Sequence, residues 1–128
     1  MDNGYTTEEM KMLNEGRKIM HLPDLKVTCT CVRVPVFRSH AISACAVFED
    51  RLDLDEVKKA ISAFDGDVYD DEVPTPLMTS NQDKVYVGRL RRDLVNDNGI
   101  ALWCCGDQIR KGAAANAVEI MEYVCKHA

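Results

Sequence analysis

Two strand-patterned runs meet at a turn signal in the second half of the chain, and no other feature narrows the fold as far. KVYVGRLRRD, from Lys84 to Asp93, and GIALWCCGD, from Gly99 to Asp107, flank Asn96-Asp97-Asn98-Gly99. Asn and Gly tolerate positive φ, so this stretch predicts a β-hairpin. The chain has 128 residues, 46% of them hydrophobic, which is enough apolar material for one core. Residues 1–128 are therefore expected to form a single domain.

Helices are expected around the hairpin. Thr6 followed by Glu9 fits a capping box, and Met10, Leu13, Arg17 and Met20 recur at helical spacing, so a first helix should run to about His21. Leu22-Pro23-Asp24 ends it. The β-branched residues of KVTCTCVRVPVF, Lys26 to Phe37, alternate as in a strand, with Pro35 implying an edge or an irregular end. Ser39 and His40 make a turn, Ala41 to Phe48 a second strand, and LDLDEVKKAISAF a helix capped by Asp53 or Asp55. The acidic stretch DGDVYDDEVPTP holds one short strand at most and then a loop. An Ala-rich helix from Gln108 or Ile109 to about Lys126 closes the chain. The expected fold class is α+β (α/β), a mixed β-sheet with helices in α-β-β-α-β-β-α order. Its two αββ halves invite comparison with ferredoxin-like sheets.

Charge and apolar runs exclude some partners. A net charge of −5 argues against nucleic acid, whose phosphates are bound through positive fields. The longest apolar stretches fall short of the roughly 20 residues of a membrane span. An acidic start where a signal peptide would be basic points to a cytoplasmic location. Six cysteines raise the question of a metal, since Cys29 with Cys31 and Cys104 with Cys105 are close in sequence and His40 is a further ligand type. The spacing lacks the CxxC knuckles of structural zinc sites, so no metal is expected and the cysteines read as reduced, buried small hydrophobes.

Counting by twos along the first strand-like run puts Val27, Cys29, Cys31 and Arg33 on one face. A guanidinium in such a row needs a partner, either a protein carboxylate or a ligand carboxylate or phosphate held bidentately. His40, seven residues on, stands at a turn from which an imidazole can point into a cleft. Glu8 and Lys11 share a helical face and can be a surface ion pair of little weight. Arg89 and Arg91 should point to one side of their strand, in a charge cluster with Arg92. Arg110 and Lys111, at the start of the last helix, can hold a phosphate or simply be exposed.

Read as strings, TTEEMKMLNEGRKIMHLPDLKVTCTCVRVPVFRSH, VPTPLMTSNQDKVYVGRLRRD and GIALWCCGDQIRKGAAANAVEIMEY resemble the C-terminal part of bacterial-type aspartate-semialdehyde dehydrogenase. The likeness runs in order over nearly the whole chain, and the RVPV-to-His unit is specific to that family. It implies a sheet like the C-terminal domain of the glyceraldehyde-3-phosphate dehydrogenase-like family. It also implies an NADP-dependent enzyme that makes aspartate semialdehyde from aspartyl phosphate on the way to lysine, threonine and methionine.

The family's motifs map onto single positions here. The Arg of RVPV would be Arg33, gripping the substrate carboxylate. The His after it would be His40, the general acid/base. Glu8 and Lys11 of EExK would line the substrate amino and phosphate positions, and Asn116 is a cofactor-side candidate. The family's nucleophilic Cys and glycine-rich nucleotide fingerprint are not found in these residues. The N-terminal NADP-binding domain is thus expected to be absent from these residues, a homodimer is expected by analogy, and the isolated chain is expected to hold no cofactor and not to turn over. Ala41 stands where Ser is common, and Asp107-Gln108 where Asp-Asn is usual. From other classes come a non-catalytic amino-acid-binding regulatory module, with Arg33 holding a carboxylate, and a dimerisation scaffold.

Overall fold

The structure, a computed structural model, describes residues 2–128. The chain divides into two compact units, Met1–Pro35 and Val36–Ala128.

The first unit is built on helix α1, Thr7–Ile19. The capping box forms as expected: Glu9 donates its N–H to Thr6 Oγ1 at 3.2 Å, and Thr6 donates its N–H to Glu9 Oε2 at 2.8 Å. Acids in the first turn and Arg17 and Lys18 in the last complement the helix dipole. The chain leaves the helix through His21 at φ 54°, and Arg17 Nε donates to the Leu25 carbonyl at 2.8 Å.

The strand expected from Lys26 to Phe37 does not form, because none of these residues joins a β-ladder. Alternation survives in part: Leu25, Val27 and Cys29 are half-buried while Lys26, Thr28 and Thr30 are exposed. A strand also needs a partner's backbone. Here a side chain serves instead, with the Cys31 N–H donating to Glu9 Oε1 at 2.8 Å. From Cys31 to Phe37 every residue is exposed.

The second unit carries a four-stranded sheet: β1 (His40–Val47), β2 (Asp67–Asp70), β3 (Val85–Arg92) and β4 (Gly99–Gly106), in the order β1-β4-β3-β2. β4 pairs antiparallel with both β1 and β3, and β2 pairs parallel with β3, so the sheet is mixed. The β3–β4 hairpin forms where the sequence signals it. Asp93 Oδ1 accepts from Val95 and Asn96 and so organises the turn. Among the described residues, Val87, Ile100, Ala101 and Cys105 on the two central strands are buried, as is Pro74 beside the sheet.

Helix α2 (Leu54–Ala63), capped by Asp53, precedes β2 and packs against β2 and β3, and the crossover that the parallel β2–β3 pair requires is the stretch 71–84. A four-residue helix, α3 (Pro76–Thr79), breaks the stretch expected to be loop, with Pro76 at its first position and Thr75 as its cap. The final helix starts as a π-helical turn, Arg110–Ala114, and continues as α4, Ala115–His127. The observed order is therefore α-β-α-β-α-β-β-α. The expected mixed sheet holds, but the chain forms no regular element where its first strand is expected.

Near the end of β3 the register shifts between Gly88 and Arg91, and Arg89 lies at φ 53°. This interrupts the alternation that would have put Arg89 and Arg91 on one side. A Cβ on Gly88 would lie 2.6 Å from the Glu72 carbonyl oxygen and 2.7 Å from that of Asp70, so the close approach of chain to strand requires glycine. Among the described residues, no helix is long and apolar enough to cross a membrane.

Candidate active site

His40 opens edge strand β1, directly opposite Gly106, the last residue of β4. Residues opposite one another in an antiparallel pair share a face, and alternate residues return to it. His40, Ile42, Cys104 and Gly106 thus lie on one face, joined by Val87, which pairs with Cys104. Ala41, Trp103 and Cys105 lie on the other, where Trp103 Nε1 and Cys105 Sγ both donate to the Pro74 carbonyl. The His40 face opens into a cavity of about 200 Å³, lined by His40, Ile42, Val85 and Cys104 and roofed by Gln108, Lys111 and Gly112. His40 is exposed, and Lys111 is largely covered, with its side chain 15% accessible.

Where β4 ends, Asp107 turns the chain into the π-helical segment. Its carboxylate is fully buried and accepts from five donors. Arg38 Nε meets Oδ2 at 2.5 Å and Arg38 Nη2 meets Oδ1 at 3.2 Å. The N–H groups of Asn81, Ile109 and Arg110 complete the set at 2.7, 2.9 and 3.0 Å. Burial alone would raise this carboxyl. The Arg38 guanidinium and the three N–H groups together outweigh burial and hold it far below the usual carboxylate range. Next to it, Gln108 Oε1 accepts from the Ser39 N–H at 2.7 Å.

Lys111 pairs with Glu119 at 2.5 Å, and Arg110 pairs with Asp83 through two contacts at 2.5 and 2.8 Å. Both basic groups considered for phosphate binding are thus engaged by carboxylates of the chain itself. Cys104 lines the cavity, but burial first, then Cys105 and Asp67, push its thiol up. It therefore stays protonated and is a poor nucleophile. Asp67 is raised by burial and partly relieved by Lys111.

The other residues expected at a site are distributed unevenly. Glu8, Lys11 and Arg33 belong to the first unit, His40 and Asn116 to the second. Glu8 and Lys11 do come together, as an exposed ion pair at 3.2 Å. Arg33, expected in a desolvated strand row, is exposed, because the row has no strand to sit in. In the first unit the acid that makes the most contacts is Glu9, which joins Thr6 to Cys31 and is held below the usual range by the Thr6 and Cys31 N–H groups and the Thr6 hydroxyl. Asn116 is exposed in the first turn of α4. Only Cys105 among the cysteines is buried; Cys29 and Cys104 are half-buried, Cys31, Cys45 and Cys125 are exposed, and all six are free. The reading of them as buried small hydrophobes therefore holds only on β4 and at Cys29. Among the described residues, no three His, Cys, Asp or Glu side chains gather as a metal site.

Arg38, Ser39, Asp107 and Gln108 did not emerge as a cluster from sequence. Their only signal was a lone acid following an apolar strand, beside a lone arginine before Ser-His.

Comparison with known proteins decides the family. The model of the semialdehyde dehydrogenase dimerisation domain matches residues 1–111. This chain belongs to that family. Aspartate-semialdehyde dehydrogenase of Prochlorococcus marinus is 45% identical over 125 residues, 94% of this chain and 36% of that protein. The enzyme of the same name from Aquifex aeolicus is 43% identical over 98% of this chain and 38% of its own length. Among solved structures, aspartate semialdehyde dehydrogenase II of Vibrio cholerae, complexed with ASA, superposes with a TM-score of 0.92 at 42% identity, covering 98% of this chain and 38% of that one. The semialdehyde dehydrogenase dimerisation domain described here thus spans little more than a third of the length of these relatives, and it corresponds to their C-terminal portion.

Proposed function

We propose that this domain is the substrate-handling part of an NADP-dependent aspartate-semialdehyde dehydrogenase, which reduces aspartyl phosphate to aspartate semialdehyde with release of phosphate. The observation that carries the proposal is the likeness, over almost the entire chain, to a relative solved in complex with ASA. In this reading the domain works as a homodimer in the cytoplasm, and the rest of the enzyme supplies the nucleophilic thiol and the nucleotide site. Alone, the chain does not turn over.

His40 is the proposed general acid/base. An imidazole can both take a proton and return it, and this one stands exposed at a cavity whose walls are mostly apolar or backbone. It would take the proton of the tetrahedral adduct's hydroxyl as the carbonyl re-forms, and give it back in the reductive direction. Arg33 is the proposed carboxylate grip, a role its fork of donors suits. Glu8 and Lys11 are the proposed contacts to the substrate amino group and phosphate, and their exposed pairing leaves both heads accessible.

NADP, when bound, exchanges the hydride. These residues contain no glycine-rich strand-to-helix turn to cradle its phosphates. What these residues offer it is limited to the exposed Asn116 on α4.

The test is reconstitution. Joined to or mixed with the nucleotide-binding portion of a relative, the chain should reduce NADP in the presence of aspartate semialdehyde and phosphate, and His40→Asn should lower kcat by roughly 100-fold or more. Arg33→Lys should raise KM at least as much as it lowers kcat. Turnover by the chain alone would refute its dependence on a second portion. Binding of an amino acid by calorimetry, with no activity after reconstitution, would favour a regulatory module instead.

A further inference from the structure

We infer that Arg38, Asp107 and Gln108 form a positioning device for His40, acting through Ser39, which links them in the chain. The inference rests on the acid/base reading of His40 and adds three residues to it.

Ser39 immediately precedes His40 and is held at φ 74°, a left-handed conformation disfavoured for any residue with a side chain. It is 3% exposed, and its hydroxyl is buried with no hydrogen-bond partner among the described residues. Such a residue persists only where its surroundings over-determine it. Here they do so on both sides. The Ser39 N–H is taken by Gln108 Oε1, and the side chain of Arg38 is gripped in a fork by the fully buried Asp107.

Asp107 is itself immobilised by the N–H groups of Asn81, Ile109 and Arg110. The fork that holds Arg38 is thus anchored to three further points of backbone. The β1–β4 register then places His40 against Gly106, next to the same anchor. Two consecutive residues before the imidazole are fixed by two consecutive residues after β4. Arg38 does not line the cavity, so its contribution reaches the reaction only through the turn.

The experiment uses the reconstituted enzyme for kinetics and the chain itself for NMR. Arg38→Ala should keep its circular-dichroism spectrum, hold KM within about twofold and lose kcat roughly 10- to 100-fold, the scale expected when a reacting group is misplaced by about 1 Å. The His40 imidazole resonance, assigned by its disappearance in His40→Asn, should be single in the parent chain and broadened or doubled in Arg38→Ala. If Arg38→Ala proves unstable, a Gln108 pair takes its place. Gln108→Leu should show the same loss, and Gln108→Glu, which keeps an acceptor for Ser39, should recover most of it. A folded Arg38→Ala with parent kcat and an unchanged imidazole signal would overturn the inference, as would equal losses in the two Gln108 variants. Parent activity in His40→Asn would instead sink the acid/base reading and leave the imidazole signal to decide the positioning claim.

Discussion

Asp107 is a residue whose behaviour can be followed with pH. Its carboxyl is held far below its ordinary value in the folded chain, so the charged form favours folding. That contribution is complete above the unfolded carboxyl value of about 3.9 and is lost as pH falls through the folded value. Asp107→Asn should therefore lower stability at neutral pH and flatten its decline on the acid side. Denaturant titrations at pH 7 and near pH 3 would check this, and equal destabilisation at both would contradict it. None of this was legible in the sequence. Arg38 and Asp107 lie 69 positions apart, and nothing local to either names the other. Glu8, Lys11, Arg33 and His40 were singled out from spacing, but their roles came from resemblance to a family, and Arg33 proved exposed because the strand meant to desolvate it has no partner.

At the scale of elements, short-range signals read well. The capping box of α1, the Asp53 cap of α2 and the Asn-Asp-Asn-Gly hairpin are each decided by residues within a few positions of one another. Thr6→Ala should cost about 1 kcal/mol by removing an N-cap, measurable by chemical denaturation of the chain. Gly88→Ala should cost more, about 1–3 kcal/mol, because the added Cβ meets backbone rather than a yielding side chain; a neutral result would mean that the chain at Asp70 and Glu72 shifts freely. Elements that depend on distant partners read poorly. Alternation from Lys26 to Phe37 described a surface with two sides but could not supply the neighbouring strand. The last helix opens within two residues of where the sequence places it, but the form of its first turn did not follow from sequence: Asp107 accepts from the first amides and the turn widens to a π-form, with Ala114 N–H donating to the Ile109 carbonyl at 2.8 Å.

For the molecule as a whole, the apolar residues left in solvent matter most. Phe37 is fully exposed, and Val118, Ile120, Met121 and Val124 on α4 are each at least half exposed. Monomeric proteins rarely leave large apolar patches in solvent, and the family is named for dimerisation. Sedimentation of the purified chain at tens of micromolar should give a species of twice the chain's mass or larger. A clean monomer at that concentration would count against the proposed homodimer. Composition and charge had already suggested one core and no nucleic acid, but how much of the surface is left uncovered became clear only from the fold.

The salt bridge between Arg38 and Asp107 also sets an order of events during synthesis. His40 leaves the ribosome well before its anchor does, since the carboxylate that fixes the preceding arginine is made 69 residues after that arginine. Until β4 and the turn beyond it have emerged, the nascent chain carries the histidine without the geometry that directs it. The turn therefore cannot reach its final geometry before Asp107 has emerged.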